Sequence, residues 1–109
     1  MDMTDIPFGV TDWTDVPPAE RSSQSGSATW RTREFGGIRV RMVEYSPGYV
    51  ADHWCSRGHI LLVLQGSLTT ELANGEIATI HAGSSYQVGD RTQPHRSSTQ
   101  EGARLFVVD

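Results

Sequence analysis

The stretch "YVADHWCSRGHILLVLQG", residues 49–66, determines how the rest of this 109-residue chain is interpreted. It holds two of the four histidines and the only cysteine, as His53, Cys55 and His59. On a β-strand, side chains two residues apart point to the same face at a spacing of about 6.6 Å. An extended "YVADHWC" therefore directs His53 and Cys55 to one face. A tight turn at "SRG" would let His59 begin the return strand and face the same side.

Imidazole and thiolate groups are ligands for zinc, nickel or iron, and a fourth donor must come from elsewhere in the chain. We expect it from His95, because Pro94 before it biases Gln93 towards extended backbone. His81 lies at a strand end beside a turn glycine and is expected to be a turn residue. The candidate metal ligands are therefore His53, Cys55, His59 and His95.

Each candidate ligand also has a purely structural interpretation. A single histidine in a β-protein is usually exposed or hydrogen-bonded, and a single cysteine is usually a small buried apolar residue. A metal-free fold, with these groups hydrogen-bonded in a polar barrel opening, therefore remains an alternative. The placement of three donors within seven residues favours the metal site.

Alternation of apolar and polar residues dominates from residue 28 onward. "GIRVRMVEY" places Ile38, Val40 and Met42 on one face and Arg39 and Arg41 on the other, as in a half-buried strand. "HILLVLQG" is a short aliphatic run bounded by glycine, and "SLTTELANGEIATI" carries an Asn-Gly hairpin signal between two strand-like runs. Because these short runs are separated by Gly or Pro and none has a helical period, we predict an all-β sandwich or barrel.

Residues 1–27 differ from the rest of the chain. "DVPPAERSSQSGSA" has the composition of a linker or an extended arm. The apolar residues Ile6, Phe8, Val10 and Trp13 precede it and are too many for a solvated tail. We expect this arm to be partly ordered and to dock on its own domain or on a partner subunit, with a disordered terminus as the alternative.

Composition bounds the class of protein. The length corresponds to one domain, the net charge is −4, and no basic cluster indicates nucleic-acid binding. No apolar run is long enough to span a membrane, and the acidic start lacks the pattern of a secretory signal. One cysteine cannot form an internal disulfide, so we expect a cytoplasmic, reducing setting. All nine basic residues are arginine, which excludes lysine Schiff-base chemistry.

The same stretch resembles the first motif of the cupin superfamily, G-x5-H-x-H-x3-E-x6-G. Counting back from Gly66, His59 stands at the glutamate position, Cys55 at the second histidine and His53 at the first. Gly48 matches the leading glycine with one residue fewer than usual. The chain also resembles small bacterial cupins labelled by an Asp-His-Cys-Trp motif, although the order here is Asp-His-Trp-Cys.

The second cupin motif resembles "HAG" at 81–83 followed by His95 in "PHR". The resemblance implies a single-domain cupin, a jelly-roll-like β-barrel over residues 28–109, with residues 1–27 as an extended arm that is a candidate for exchange between subunits. It also implies a metal site in which two usual ligands are replaced by Cys55 and His59. This softer donor set favours Zn²⁺ or Ni²⁺ over the Fe²⁺ or Mn²⁺ that remain possible.

Two functions follow from the resemblance. The first is a metal-dependent enzyme that acts on a small molecule, dioxygenase- or isomerase-like, with the metal as Lewis acid or O₂ site. The second is a non-catalytic cupin whose metal is structural or anchors a small ligand. Small cupins usually pair, and sheet edges need covering, so we expect a homodimer. Residues expected to surround the metal or contact a substrate are Tyr45, Tyr49, Arg57, Gln65 and Tyr86.

Overall fold

The computed structural model describes residues 3–109, which form β-strands and loops apart from one 3₁₀ turn at Trp13–Asp15. The strands are β1 (Ala19–Ser22), β2 (Ser27–Phe35), β3 (Ile38–Tyr45), β4 (His59–Leu72), β5 (Ile77–His81), β6 (Ser85–Val88), β7 (His95–Ser98) and β8 (Ala103–Val108). Every pairing between them is antiparallel. The prediction of an all-β fold is confirmed.

Strand β4 belongs to two sheets. Its first half pairs with β8 and β6, in the sheet ordered β1-β2-β3-β8-β4-β6. Its second half pairs with β5 and β7 in the other sheet. The glycine at position 66 was expected to bound the aliphatic run, but the strand continues through it to Leu72. One bent strand therefore joins the two layers.

Gly66 is the point where β4 bends. Its φ is +76°, and the pairing with β8 shifts register between Val63 and Gln65. A Cβ atom on Gly66 would lie 2.0 Å from the carbonyl oxygen of Gly102. Only glycine tolerates both this backbone conformation and this contact. A bulge beside such a glycine is a common way to bend a strand from one sheet into another.

The hairpin predicted at Asn74-Gly75 connects β4 to β5. Gly75 adopts a φ of +96°, and the Leu72 N–H donates to the Glu76 carbonyl at 2.8 Å. The Asn74 side chain accepts a hydrogen bond from the Glu76 N–H at 2.9 Å. The hairpin prediction is confirmed, with a three-residue loop whose glycine supplies the positive φ.

The core lies between the two sheets and is made mainly by β4 and β8. Val63, Leu68 and Leu105 have no exposed surface. In β8 the buried residues alternate, so that Ala103, Leu105 and Val107 point inward. Each large aliphatic side chain buried in this way stabilises the fold by about 1.5–3 kcal/mol through removal of its surface from water.

Strand β3 turns its arginine face inward. Arg41 lies opposite Val107 in the register with β8, and residues directly opposite share a face. Because Val107 is buried, Arg41 and its i−2 neighbour Arg39 point to the interior, where both line a cavity. The alternation predicted for β3 is present in the structure, but the face that carries the arginines is the one that points inward.

The 3₁₀ turn docks on the body of its own chain. The Arg31 guanidinium, on β2, donates to the carbonyls of Trp13 at 2.9 Å and Val16 at 2.6 Å. Trp13 also lines a groove with Met42, on the outer face of β3. The arm predicted over residues 1–27 thus contains the turn and β1, while its residues 1 and 2 lie outside the described residues.

Within residues 3–109, we find no helix whose length and hydropathy would let it cross a membrane.

Gly66→Ala should lower the free energy of unfolding by more than about 4 kcal/mol, because strain at positive φ is added to a clash with backbone. Gly36 is the matched control, since its φ is +59° and a Cβ there meets nothing within 4 Å. Gly36→Ala should cost only about 1–2 kcal/mol. Urea denaturation of the two variants measures the difference, and equal costs would contradict the role of Gly66.

Candidate metal and ligand site

A cavity of about 270 Å³ lies between the sheets and reaches solvent where several of its lining residues are exposed. All four candidate ligands, His53, Cys55, His59 and His95, line it. His81, at the end of β5, is exposed and does not line the cavity.

His59 and His95 are held at opposite ends of β4. His59 is its first residue, and His95 pairs with Leu72, its last. A straight strand of this length would separate its ends by about 43 Å. The two imidazole centroids are nevertheless 4.8 Å apart, with the rings near-perpendicular. The bend of β4 therefore assembles this histidine pair.

The segment predicted as the strand "YVADHWC" is irregular. It runs beside β7, with reciprocal hydrogen bonds between Cys55 and His95 at 2.8 and 2.9 Å and a bond from Ala51 N–H to the Ser97 carbonyl at 3.0 Å. Three residues, 52–54, stand opposite one residue of β7 and bulge outward. The segment is therefore not the regular strand that was expected, although His53 and Cys55 both line the cavity, as a shared face implies. Cys55 pairs with His95 and not with the strand begun by His59.

The bulge determines where its side chains point. His53 is exposed at the cavity rim, and Trp54 packs under the guanidinium of Arg96, which lies 4.7 Å from the ring centroid. Bulges commonly redirect a side chain in this way. Cys55 returns to the pairing with His95, and its half-buried free thiol lines the cavity.

His95 presents a lone pair to the interior. Its Nδ1 lies 3.0 Å from the Gln93 carbonyl oxygen, which can only accept, so Nδ1 carries the proton. In the neutral tautomer fixed by this bond, Nε2 carries the lone pair. It is buried and has no hydrogen-bond partner among the described residues, and the side chain belongs to a residue only 3% exposed. A buried acceptor without a partner is rare in native proteins.

His59 is neutral at physiological pH. Burial, and next the neighbouring ring of His95, lower the pKa of His59 to about 4. Its Nε2 lies 2.8 Å from the Tyr86 hydroxyl on β6. A neutral imidazole is the form that binds metal ions.

The donors fit a divalent metal in chemistry, with the histidine pair already in place. The partnerless Nε2 of His95 belongs to a ring beside the neutral imidazole of His59, and a thiol lines the same cavity. Within residues 3–109, however, no three His, Cys, Asp or Glu side chains are grouped as a ready-made metal site. A complete ligand set would require Cys55 or His53 to rotate towards the pair.

Asp109 lines the cavity but was not among the site residues predicted from the sequence. It continues the inward alternation of β8, its side chain is 1% exposed, and the Arg39 guanidinium binds both carboxylate oxygens at 2.8 and 3.0 Å. Arg41 donates to the same carboxylate at 3.1 Å, and the Arg57 Nε lies 3.7 Å from it. Burial would raise the pKa of Asp109, but the Arg39 hydrogen bonds and the neighbouring charges lower it. Alternation extended past Val107 is the signal that points to Asp109.

Aromatic side chains form much of the remaining wall. Tyr45 and Tyr49 stack with centroids 4.2 Å apart, and burial raises the pKa of Tyr45. Both line the cavity, as do Tyr86 and Arg57. Gln65 does not, because it faces a separate groove on the other side of the sheet.

Solved structures share this architecture. The polyketide cyclase RemF from Streptomyces resistomycificus is 22% identical, with a TM-score of 0.75 over 94% of this chain and 78% of that chain. Fe(II)-HppE with the alternative substrate (S)-1-HPP is 15% identical, with a TM-score of 0.75 over 94% of this chain and 60% of that chain. A single-substitution variant of the oxalate decarboxylase of Bacillus subtilis is 18% identical, with a TM-score of 0.66 over 97% of this chain and 31% of that chain.

The chain has the cupin fold. The predicted jelly-roll-like cupin architecture is thereby confirmed. At these identities the similarity establishes the fold alone, and the chain spans only 60% and 31% of the HppE and oxalate decarboxylase chains. No protein-family model matches the sequence, and no curated protein gives a significant sequence match. Similarity to the Asp-His-Cys-Trp group remains a prediction from the sequence.

The neutral state of His59 predicts how the metal-free protein responds to acid. The unfolded chain takes up a proton near pH 6.5, whereas folded His59 stays neutral until about pH 4. The free energy of unfolding should therefore fall as the pH drops from about 6.5 to about 4. The expected decrease is about 1–2 kcal/mol, which is less than the full pKa shift implies because solvent screens the partly exposed ring. His59→Gln should remove this component from denaturation curves of the chelated protein. His81→Gln should retain it, and an unchanged slope in His59→Gln would contradict the assignment.

Proposed function

We propose that this cupin binds a divalent metal ion through His59, His95 and Cys55, and uses it to act on a small molecule in the adjoining cavity. The observation that carries the proposal is the buried, partnerless Nε2 of His95 beside the neutral ring of His59. His53 is the fourth candidate ligand, but it is exposed at the rim. In this proposal it does not bind the metal, and the fourth coordination position is left open to substrate.

The residues around the two imidazoles support this role. The Gln93 carbonyl fixes the tautomer and orientation of His95, and the Tyr86 hydroxyl holds the ring of His59. Such partners commonly orient metal-binding histidines. Because the Tyr86 hydroxyl contacts Nε2 of His59, a metal ion would bind that ring in one of two ways. Either this hydrogen bond breaks and Nε2 binds the metal, or Nδ1 of the same ring does. His95 is only 3% exposed, which limits the access of bulk water to its ring.

The bound ion would supply Lewis-acid chemistry by polarising a substrate oxygen. A thiolate with two imidazoles favours Zn²⁺ or Ni²⁺, while Fe²⁺ or Mn²⁺ remains possible. The similar HppE structure contains Fe(II), which supports a metal role for this fold without choosing the ion. We propose a dioxygenase- or isomerase-like reaction and a cytoplasmic setting, in which Cys55 stays reduced.

A structural metal site is the second candidate function. Its supporting observation is the reciprocal Cys55–His95 backbone pairing, which already joins the bulged segment to β7. A metal held by His53, Cys55, His59 and His95 would reinforce that connection as a closed tetrahedral site. The exposed position of His53 in the bulge favours the open site instead.

His95→Gln should weaken metal binding at least about tenfold, because it removes the buried donor with its lone pair. Titration of chelated protein with Zn²⁺ and with Ni²⁺ by calorimetry measures the change. His81→Gln is the matched control, since His81 is exposed outside the cavity, and it should bind as the parent does. If His95→Gln retained full affinity, or if His81→Gln lost it, the metal site would lie elsewhere.

Thermal unfolding with and without metal separates the two functions. An open catalytic site predicts that the chelated protein keeps its fold and most of its stability, because Val63, Leu68 and Leu105 are buried independently of the donors. A structural site predicts that metal loss and unfolding coincide, since binding free energy is then folding free energy.

We further propose a homodimer in which the start of the arm contacts a second copy. Phe8 and Val10 are 98% and 87% exposed, whereas Trp13 contacts its own chain. Phe8→Ser/Val10→Ser should weaken dimerisation at least about tenfold in sedimentation experiments, through loss of apolar burial. Ile77→Ser, which changes an exposed apolar residue of β5, is the control. A monomeric parent protein at tens of micromolar would contradict the proposal.

A further inference from the structure

The cavity beside the histidine pair concentrates positive charge. Five of the nine arginines line it, together with only two acidic residues, although the whole chain has a net charge of −4. These lining residues are Arg21, Arg39, Arg41, Arg57, Arg96, Asp52 and Asp109. Arginine is seldom directed inward without a partner, because burial of its charge is costly. The low-dielectric walls of a cavity strengthen the electric field of such charges, which favours the entry of an anion.

The charges of some of these arginines are already balanced. Arg39 holds Asp109 through two hydrogen bonds and lies opposite Glu34 on β2, and these interactions raise the pKa of Arg39. Arg96 lies 3.5 Å from the carboxylate of Glu71. Neither arginine therefore needs a further anion.

Of the three arginines grouped around Asp109, Arg41 and Arg57 are left with incomplete partners. Arg41 makes one hydrogen bond to Asp109, through Nη2, while its Nε is buried and has no partner within residues 3–109. The Arg57 Nε lies 3.7 Å from Asp109, beyond hydrogen-bond distance, and its side chain is 55% exposed. One carboxylate thus serves three guanidinium groups, which leaves capacity for a second anion.

We infer that Arg41 and Arg57 form an anion subsite, and that the substrate of this cupin is a small carboxylate with a planar or aromatic body. Guanidinium groups recognise the two oxygens of a carboxylate with paired hydrogen bonds. The body of the ligand would lie among Tyr45, Tyr49 and Tyr86, which line the same cavity. The cavity of about 270 Å³ is at the small end for ligand sites, so it accommodates a compact molecule.

The subsite is close enough to the histidine pair for one molecule to reach both. Arg41, Arg57, His59 and His95 all line this one cavity of about 270 Å³. A small molecule whose carboxylate is held by the arginines can therefore also contact the histidine pair. This assignment of a substrate class rests on the proposed function.

Benzoate binding to the chelated, metal-free protein tests the subsite separately from the metal. Titration followed by ¹H–¹⁵N NMR of arginine Nε–H groups should show saturable binding with a shift of the Arg41 signal. Benzamide, which has the same shape without the charge, should bind at least about tenfold more weakly, since a charge-assisted interaction is lost.

Variants identify the residues responsible. Arg41→Gln and Arg57→Gln should each weaken benzoate binding about tenfold. Arg104→Gln, which changes an exposed arginine on the outward face of β8, should leave it unchanged. Asp109→Asn should tighten it several-fold, because a competing carboxylate is removed. Arg57 is exposed, so its variant keeps the test decisive even if Arg41→Gln does not fold.

The inference is overturned if benzamide binds as well as benzoate, if Arg104→Gln is as damaging as Arg57→Gln, or if no benzoate binding occurs. Inorganic phosphate is the third probe, and tighter binding of phosphate than of benzoate would overturn the carboxylate assignment. Because metal is absent throughout, failure of the His95→Gln metal test leaves this result intact. Loss of benzoate binding with normal metal affinity would in turn reject only the substrate class.

Discussion

The close approach of Gly66 to the carbonyl of Gly102 is the contact on which the rest of this structure depends. It lets β4 turn from one sheet into the other within a single strand. Without that turn, His59 at one end of β4 and Leu72 at the other would lie far apart. With it, β7 carries His95 back to His59, and the cavity forms where the two ends meet. One backbone contact thus connects the fold to the candidate site.

The interior of this cupin-fold domain is divided between an apolar and a polar region. Near the bend, β4 and β8 bury aliphatic side chains with no exposed surface. Further along the same inward face, β8 reaches Asp109 and β3 reaches Arg39 and Arg41. Charged groups in this position stabilise the fold little beyond what their burial costs. Their arrangement around a cavity is more readily explained by recognition of a charged ligand than by stability.

The sequence was sufficient to predict the all-β fold, the hairpin at Asn74-Gly75 and the cupin architecture. Each depends on a local signal: alternation, a turn pair, or the spacing of His53, Cys55 and His59. The sequence also placed these three residues and His95 around one cavity, as the structure does. Their role as metal ligands remains a proposal, because neighbouring donors do not by themselves define a coordination sphere.

The features that could not be predicted from the sequence depend on contacts between residues far apart in the chain. Alternation defines two faces of β3 but not which one faces inward, and a polar cavity reverses the usual choice. A glycine ends many strands, so continuation of β4 through Gly66 depends on the distant Gly102. The bulge at 52–54 arises from pairing with β7, which lies much further along the chain. The inward position of Asp109 likewise depends on its pairing with Arg39.

The central claim is that His59, His95 and Cys55 form an open metal site. X-ray absorption spectroscopy of the Zn²⁺-loaded protein tests it most directly, because it counts donors by type. We predict one sulfur at about 2.3 Å, two imidazole nitrogens at about 2.0–2.1 Å and one further light-atom ligand from solvent. A first shell without sulfur, with fewer than two imidazoles, or with a third imidazole in place of solvent would contradict the claim.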